Sequence, residues 1–182
     1  LPLTTLAVIV RALGEFAVPL PVAETFLAQR YLVLAGMDVP HGPLSVAPYS
    51  KDLELKKRDG NWYLSGQLKR VPWGRNVSSI VFEVDHENGS ALVCLKGVQP
   101  ARLGTNLANE PRDDFVLSDQ LVTADCVTLL NQPQRHLVRE GMLLRTLQIT
   151  GALGRSLGMT VQYSMERVQF GRAIAKFQAV QH

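Results

Sequence analysis

One C-terminal stretch decides the fold of this chain: Tyr163-Ser-Met-Glu-Arg-Val-Gln-Phe-Gly-Arg-Ala-Ile-Ala-Lys-Phe-Gln-Ala-Val-Gln-His182. A long helical pattern runs into it and ends at Glu166-Arg167, and Phe170-Gly171 then turns the chain. A second helix is predicted to begin near Arg172. Its first amides and positive dipole end, flanked by Arg167 and Arg172, would form an anion site suited to phosphate.

Two interpretations of this stretch are open. In the first, Phe170 would offer an aromatic face, and Gln178 would offer an amide edge from one turn or more into the second helix. Together with Arg167, these groups suit a dinucleotide. The alternative is structural, with an Arg–Glu pair at the helix end and Phe170 in the core. Spacing alone favours the structural interpretation.

Composition predicts a globular domain. The chain has 182 residues, of which 46% are hydrophobic and 19% charged, with a net charge of +3. No Lys/Arg run forms a stripe, so no nucleic-acid partner is predicted. The apolar run Leu6–Val10 is too short to span a membrane and is followed by Arg11. Both ends resemble interior points of a longer protein, so we expect a fragment.

The cysteines and histidines suggest no metal or disulfide chemistry. Cys94 and Cys126 lie far apart in the sequence, and we predict two buried free thiols in a reducing compartment. The four histidines lack ligand spacing, so no metal site is predicted.

The chain opens with two predicted helices. Apolar residues recur at helical spacing over 3–18, and Pro19-Leu20-Pro21 ends the pattern because proline lacks an amide hydrogen. A second pattern covers 22–35 and stops at Gly36. The short proline linker predicts a helical hairpin.

The middle of the chain has the alternation of β-strands. Alternating runs flank Asp59-Gly60, which is a strong hairpin signal. A second hairpin is predicted to turn at Asn88-Gly89, and shorter strands are predicted at 101–103, 115–117 and 121–122. This spacing predicts a small antiparallel barrel or sandwich.

Helix returns from about residue 134 with a broad apolar stripe. Gly151, Gly154 and Gly158 fall on one face of it, although glycine costs about 1 kcal/mol in a helix interior. Either another backbone or a flat ligand is expected to approach there, and we favour tight helix–helix packing. The order of elements therefore predicts an α+β fold.

The C-terminal stretch resembles the Y-x-x-x-R-x-x-F-G-x-x-(I/L)-x-x-x-Q motif of the acyl-CoA dehydrogenases. In addition, Gly60-Asn-Trp-Tyr-Leu-Ser-Gly66 resembles that family's hairpin motif, G-x-(Y/W)-x-(L/I)-x-G. The resemblance implies a divergent bacterial member, of which this chain would be a fragment. It would comprise the end of the N-terminal helical domain (1–39), the middle β domain (40–130) and the start of the C-terminal four-helix bundle (131–182).

The resemblance implies an FAD-dependent acyl-CoA dehydrogenase in the cytoplasm, with an acyl-CoA substrate and an electron-transfer flavoprotein as electron acceptor. Arg167, Phe170 and Gln178 would contact FAD that is bound mainly by a neighbouring subunit. This implies a homo- or hetero-oligomer, commonly a tetramer built as a dimer of dimers.

A glutamate base removes the α-proton of the substrate in this family. Most members place it well beyond the motif, so we expect it outside this chain. A minority place it on the first bundle helix, where Glu140 lies one residue from the aligned position, Gly141. Glu140 is therefore the alternative candidate, against a structural role at an exposed helix start.

Two departures from the family pattern keep the alternatives open. Ser45–Asp52 replaces the usual T-E-P-x-x-G-S-D-like loop, and Pro72 stands where a threonine commonly donates to the flavin. The stretch Arg70–Arg75 resembles divergent members that act on bulky thioesters in lipid or steroid catabolism. It includes Val71-Pro-Trp-Gly74, which falls where the family places residues beside the flavin. The chain could thus be a non-catalytic partner subunit that completes a neighbour's FAD site. An oxidase or monooxygenase on the same fold is also open.

Overall fold

The computed structural model describes residues 3–87, 89–130 and 136–181. Contacts divide the chain into two compact units, which are described separately: a terminal unit of Leu1–Val18 with Leu144–His182, and a central unit of Pro19–Leu143. The helices are α1 (Leu3–Glu15), α2 (Val22–Leu34), α3 (His136–Glu166) and α4 (Gln178–Gln181). The strands of the central unit are β1 (Leu44–Val46), β2 (Glu54–Arg58), β3 (Asn61–Pro72), β4 (Ser79–His86), β5 (Gly89–Lys96), β6 (Arg112–Val122) and β7 (Val127–Leu130).

The predicted α+β fold is confirmed, and its β module has two sheets rather than a closed barrel in the described residues. One sheet has the order β1-β4-β5-β7 and the other β2-β3-β6. Contacts of β2 with β4 and of β1 with β3 join the sheets as a sandwich. Fully buried side chains from both sheets fill the core, the largest being Phe82 and Phe115.

The strands differ from the prediction in three places. First, β1 pairs with β4 in parallel, so that sheet is mixed rather than antiparallel. Second, the short strands predicted at 115–117 and 121–122 form one continuous strand, β6. Third, 101–103 forms only an isolated bridge, from Arg102 to Asp114. All three differences have the same cause. Pairing between distant segments decides these features, and the local alternation of apolar and polar residues does not predict such pairing.

Both predicted β-hairpins are present, but the turn of the second differs from the prediction, because Gly89 belongs to β5 rather than to the turn. Asp59 and Gly60 have φ of 50° and 81° and join β2 to β3. Positive φ at both positions matches the twist of the flanking strands. The pairing of His86 with Gly89 closes the hairpin of β4 and β5, and Asn88 lies outside the described residues.

The helix α2 covers one side of the central unit. It ends before Gly36, which has a φ of 68°, as predicted. Its buried residues include Leu27 and Leu32, and it packs on β1. The Thr25 hydroxyl fixes this contact, because Oγ1 lies 3.0 Å from both the amide nitrogen and the carbonyl oxygen of Leu44.

In the terminal unit, α1 packs closely on α3. A Cβ added to Gly151 would meet the Arg11 carbonyl oxygen and the Glu15 amide, and one added to Gly14 would meet the backbone of Gln148. The predicted backbone approach is therefore confirmed at Gly151. It is not found at Gly158, where no described atom other than the local helix backbone lies within 4 Å, nor at Gly154, which faces only the end of the Arg11 side chain.

The long helix α3 leaves much of its apolar stripe exposed. Leu153 and Leu157 are 64% and 65% exposed. The predicted start of this helix near residue 134 lies outside the described residues, and its end at Glu166 is confirmed. Among the described helices, none has the length and apolar character that a membrane span requires. No group of metal-ligating side chains occurs within the described part of the chain.

Candidate functional site

The chain leaves α3 through a tight β-hairpin. Strands β8 (Val168–Gln169) and β9 (Arg172–Ala173) pair antiparallel. Phe170 and Gly171 form the turn, with φ of 50° and 74°. Glycine takes this left-handed conformation readily, whereas a phenylalanine in it is uncommon. The turn therefore carries Phe170 at its tip, where the ring is 93% exposed.

The prediction of a helix from Arg172 is wrong. Arg172 and Ala173 belong to the hairpin, and the Ile174 amide donates to the Arg167 carbonyl at 2.9 Å. A 3-10 turn over Ile174–Lys176 follows, and α4 begins only at Gln178. The backbone that was expected to form an anion site at a helix start is therefore part of the hairpin. Gln178 is the first residue of α4, whereas it was expected one turn or more into a helix.

An aromatic pair and a guanidinium lie together beside the hairpin. The rings of Phe170 and Phe177 meet edge to face with centroids 6.3 Å apart. The Arg172 guanidinium carbon lies 4.2 Å from the centre of the Phe177 ring, which is within cation–π distance. Sequence reasoning missed this role of Phe177, although an aromatic shortly after a tight turn could have indicated the packing.

The structural alternative for the motif is not found. Phe170 is exposed rather than in the core, and the Glu166 carboxylate accepts a hydrogen bond from Gln162 Nε2 at 2.8 Å. The Arg167 amide donates to the Tyr163 carbonyl at 2.8 Å, but its exposed side chain has no partner within the described ranges. Gln178 is exposed as well.

The exposed groups of this segment fit a dinucleotide in their chemistry. A guanidinium fork suits phosphate oxygens, an aromatic face suits a planar ring, and an amide matches polar ring edges. Arg167, Phe170 and Gln178 carry these three groups, and each of the three residues is exposed.

In the central unit, the two departures from the family pattern lie side by side. The buried Ser45 hydroxyl donates a hydrogen bond to the Pro72 carbonyl. The Ala47 amide also donates to the Val81 carbonyl, at 3.0 Å. The start of the loop Ser45–Asp52 is therefore hydrogen-bonded to both sheets. Pro72 contacts this loop through its backbone carbonyl, since its side chain has no hydroxyl group.

A buried carboxylate organises the loop that follows Pro72. Trp73 has a φ of 56°, and Gly74–Asn76 form a 3-10 turn. The fully buried Asp113 carboxylate accepts hydrogen bonds from the Arg75 amide at 2.8 Å, from Arg75 Nε at 3.0 Å and from the Gly104 amide at 3.1 Å. Burial alone would raise the pKa of Asp113, but the hydrogen bonds from Arg75 and Gly104 outweigh it and lower the pKa.

Asp113→Asn should loosen this loop. Losing charge-assisted hydrogen bonds costs about 1.5–3 kcal/mol, so amide exchange in 73–76 should accelerate about 10- to 100-fold at neutral pH. Since the folded-state pKa is lowered, the stabilisation is complete above the ordinary value of about 3.9 and is lost as pH falls through the folded-state pKa. The loss of stability caused by Asp113→Asn, relative to the wild type, should therefore become smaller at acid pH.

Hydrogen–deuterium exchange with mass spectrometry measures this effect. Asp119→Asn is the control, because it weakens an exposed ion pair with Arg58 that is worth at most about 1 kcal/mol. Equal effects of the two substitutions would contradict the role assigned to Asp113.

Glu140 joins α3 to α2 in the central unit. Arg30 Nε donates to Glu140 Oε2 at 3.2 Å, and the Tyr31 hydroxyl hydrogen-bonds the same carboxylate. Burial, followed by the negative charge of Glu140, raises the pKa of Tyr31 well above its ordinary value, so Tyr31 stays a neutral donor. Glu140 is half-buried rather than exposed at the helix start.

Comparison with known proteins gives one curated relative of clear similarity. Acyl-CoA dehydrogenase IpdE2 from Mycolicibacterium smegmatis is 26% identical over 181 residues, covering 97% of this chain and 49% of the relative. The chain therefore spans about half the length of that protein. No protein-family model matches the sequence.

Solved structures share the fold. The ChsE4-ChsE5 complex from Mycobacterium tuberculosis matches with a TM-score of 0.82 at 22% identity, over 98% of this chain and 54% of that one. Butyryl-CoA dehydrogenase from Megasphaera elsdenii matches with a TM-score of 0.78 at 15% identity, over 98% of this chain and 56% of that one. Sequence and fold together confirm the predicted resemblance: the chain is a divergent relative of the acyl-CoA dehydrogenases.

Proposed function

We propose that the protein containing this chain is an FAD-dependent acyl-CoA dehydrogenase that oxidises the α,β bond of an acyl-CoA thioester. The observation that carries this proposal is the motif from Tyr163 to Gln178, whose key side chains stand exposed on and beside the hairpin. The similarity to IpdE2 over 97% of the chain supports the same family of reactions.

Three side chains would hold the cofactor. The Arg167 fork would bind pyrophosphate oxygens, the Phe170 ring would cover a planar ring, and the Gln178 amide would meet polar ring edges. FAD, when bound, supplies the hydride acceptor of the reaction. The role of this chain would be to bind and orient that cofactor, and the base that removes the α-proton of the acyl-CoA substrate would lie elsewhere in the full-length protein.

The same proposal includes an oligomer. Exposed side chains on a protruding hairpin suit FAD that is held mainly by a neighbouring subunit, and the exposed apolar stripe of α3 suits burial against further protein. We propose a dimer of dimers, formed by identical or different chains, in the cytoplasm with an electron-transfer flavoprotein as acceptor. A bulky acyl group such as a steroid side chain is the proposed substrate, on the basis of Arg70–Arg75.

A second candidate is a non-catalytic partner subunit that completes a neighbour's FAD site. The contact between Ser45 and Pro72 favours it, because the loop that differs from the family pattern is fixed against the proline that replaces a threonine. The structure of ChsE4-ChsE5, a complex of two differently named chains, gives a similar fold in a mixed assembly.

Counting flavins separates the two candidates. The full-length protein would be purified with and without the product of a neighbouring gene, and the FAD released on denaturation would be divided by the number of copies of this chain. One FAD per copy supports the enzyme and excludes the partner subunit. Retention only in the mixed assembly, with one FAD for each pair of chains, supports the partner subunit, and no flavin in any assembly contradicts both.

Glu140→Gln should leave turnover of the full-length enzyme within about tenfold of the wild type, whereas losing a general base typically costs about 10²- to 10⁴-fold. The reason is that its carboxylate is engaged by Arg30 and Tyr31, contacts that join two helices. Steady-state kcat with an artificial electron acceptor measures this. Arg30→Gln is the matched control from the same pair, and a selective loss of kcat in Glu140→Gln would instead assign the base to Glu140.

A further inference from the structure

The two cysteines of the chain are neighbours across a sheet edge. Cys94 lies in β5, and Cys126 ends the 3-10 turn that leads into β7. The antiparallel register pairs Leu92 with Thr128 and Val93 with Val127. The paired register ends there, because Cys126 belongs to the 3-10 turn, but one further step along the two chains brings Cys126 to the level of Cys94. The negative charge of Cys126 acts on the Cys94 thiol, so the two side chains lie near each other.

The surroundings of the pair differ for the two sulfurs. Both thiols are free and buried, at 2% and 5% exposure. The Lys96 ammonium hydrogen-bonds Cys126, whose Sγ also lies 3.6 Å from Asp125 Oδ2. Burial, followed by the negative charge of Cys126, raises the pKa of Cys94 to about 11. Cys126 thus lies in a turn between a cation and a carboxylate, whereas the Cys94 thiol, buried within the sheet, stays protonated at neutral pH.

The position at the sheet edge gives oxidants a path. β7 is the outer strand of its sheet, and both Lys96 and Asp125, which contact Cys126, are exposed. Edge strands open locally at lower free energy than central ones. Opening of the turn Ala124–Cys126 would expose Cys126 before Cys94, which lies within β5.

We propose that Cys94 and Cys126 form a reversible cross-strand disulfide when the protein meets a peroxide. This inference is independent of the proposed function, because it rests only on the ladder, the burial of the thiols and the charges around them. Opposed residues have Cβ atoms about 4.5–5.5 Å apart, and a disulfide needs about 3.5–4.5 Å, so a small shift of the edge strand is enough.

The chemistry balances with hydrogen peroxide as the oxidant. The Cys126 thiol gives up its proton as its sulfur attacks one peroxide oxygen, the O–O bond breaks, and the products are a sulfenic acid at Cys126 and water, which carries the displaced oxygen and the thiol proton. The Cys94 sulfur then attacks the Cys126 sulfur, and the S–O bond breaks. The Cys94 proton leaves with the displaced hydroxyl group as a second water. Two thiols are oxidised and one peroxide is reduced.

Peptide mapping of the full-length protein tests the proposal. The reduced protein would be treated with hydrogen peroxide, alkylated after denaturation and digested with trypsin without reduction. We expect one linked pair, peptide 76–96 with peptide 113–135, that separates on reduction. A single-chain band on a non-reducing gel should accompany it. We also expect amide exchange in 127–130 to slow about tenfold, because the bond fastens β7 to β5.

Two variants test the assignment of roles. With Cys94→Ser, a dimedone probe should trap sulfenic acid at Cys126, whereas with Cys126→Ser it should trap little at Cys94. Both variants should keep the circular dichroism spectrum of the parent, so folding is checked separately. The proposal is overturned if no linked pair forms while other thiols oxidise, if the link forms only after denaturation or between chains, or if trapping favours Cys94.

Discussion

Arg167→Ala in the full-length protein should weaken FAD binding about 10- to 100-fold, because a charge-assisted hydrogen bond contributes about 1.5–3 kcal/mol. The Arg167 guanidinium has no partner among the described residues, so the substitution removes a group that is free to bind a ligand rather than one that holds the fold. Equilibrium dialysis of the apoprotein against FAD measures the change, with assembly size checked by size-exclusion chromatography.

Two controls make that result specific. Arg167→Lys keeps the charge but lacks the planar fork, so it should recover only part of the affinity. Lys176→Ala removes the same charge from the same segment, and its side chain is exposed too. It should change the affinity by less than about threefold, since general attraction between exposed groups is weak. Equal losses for Arg167→Ala and Lys176→Ala would contradict a bidentate contact at Arg167.

Gly151→Ala should separate α1 from α3 and destabilise the terminal unit by about 1–3 kcal/mol, the usual cost of overpacking. A Cβ at this position would meet the backbone of α1 at Arg11 and Glu15, which cannot rotate away as a side chain can. The loss should exceed the gain of about 1 kcal/mol that alanine brings to a helix interior. Amide exchange in 3–15 should therefore accelerate about 5- to 150-fold.

Gly158→Ala is the matched control in the same helix, because no described atom other than the local helix backbone lies within 4 Å of the added Cβ. It should stabilise α3 by about 0.5–1 kcal/mol through helix propensity alone. Both substitutions replace glycine by alanine on one face of α3. Opposite signs of the change in stability would therefore locate the close contact at Gly151. If both stabilise the protein, the contact of α1 with Gly151 is wrong.

Local patterns predicted the features of the fold that depend on local chemistry. The hairpin at Asp59-Gly60, the stop of α2 before Gly36 and the end of α3 at Glu166 all follow from turn and capping residues close in sequence. The parallel pairing of β1 with β4 could not be predicted this way, because it joins segments more than thirty residues apart. The same applies to the proximity of Cys94 and Cys126, which are also more than thirty residues apart in the sequence.

The candidate site shows a second limit of sequence reasoning. The motif was recognised from its residues, but the hairpin within it was mistaken for a helix start. Phe170-Gly171 was predicted to turn the chain between two helices, but a phenylalanine with positive φ is uncommon, so a hairpin with paired strands on either side was not expected. The spacing of Phe170 also favoured a core position, whereas the turn projects its ring into solvent.

We propose that the full-length protein oxidises an acyl-CoA with bound FAD. Anaerobic titration of the assembled, flavin-loaded protein with a panel of straight-chain and steroid acyl-CoA thioesters tests it most directly, by following the absorbance of the oxidised flavin. We expect at least one thioester to bleach the flavin stoichiometrically, and the Arg167→Ala assembly to contain less flavin to bleach. Full flavin occupancy with no bleaching by any thioester in the panel would contradict the claim.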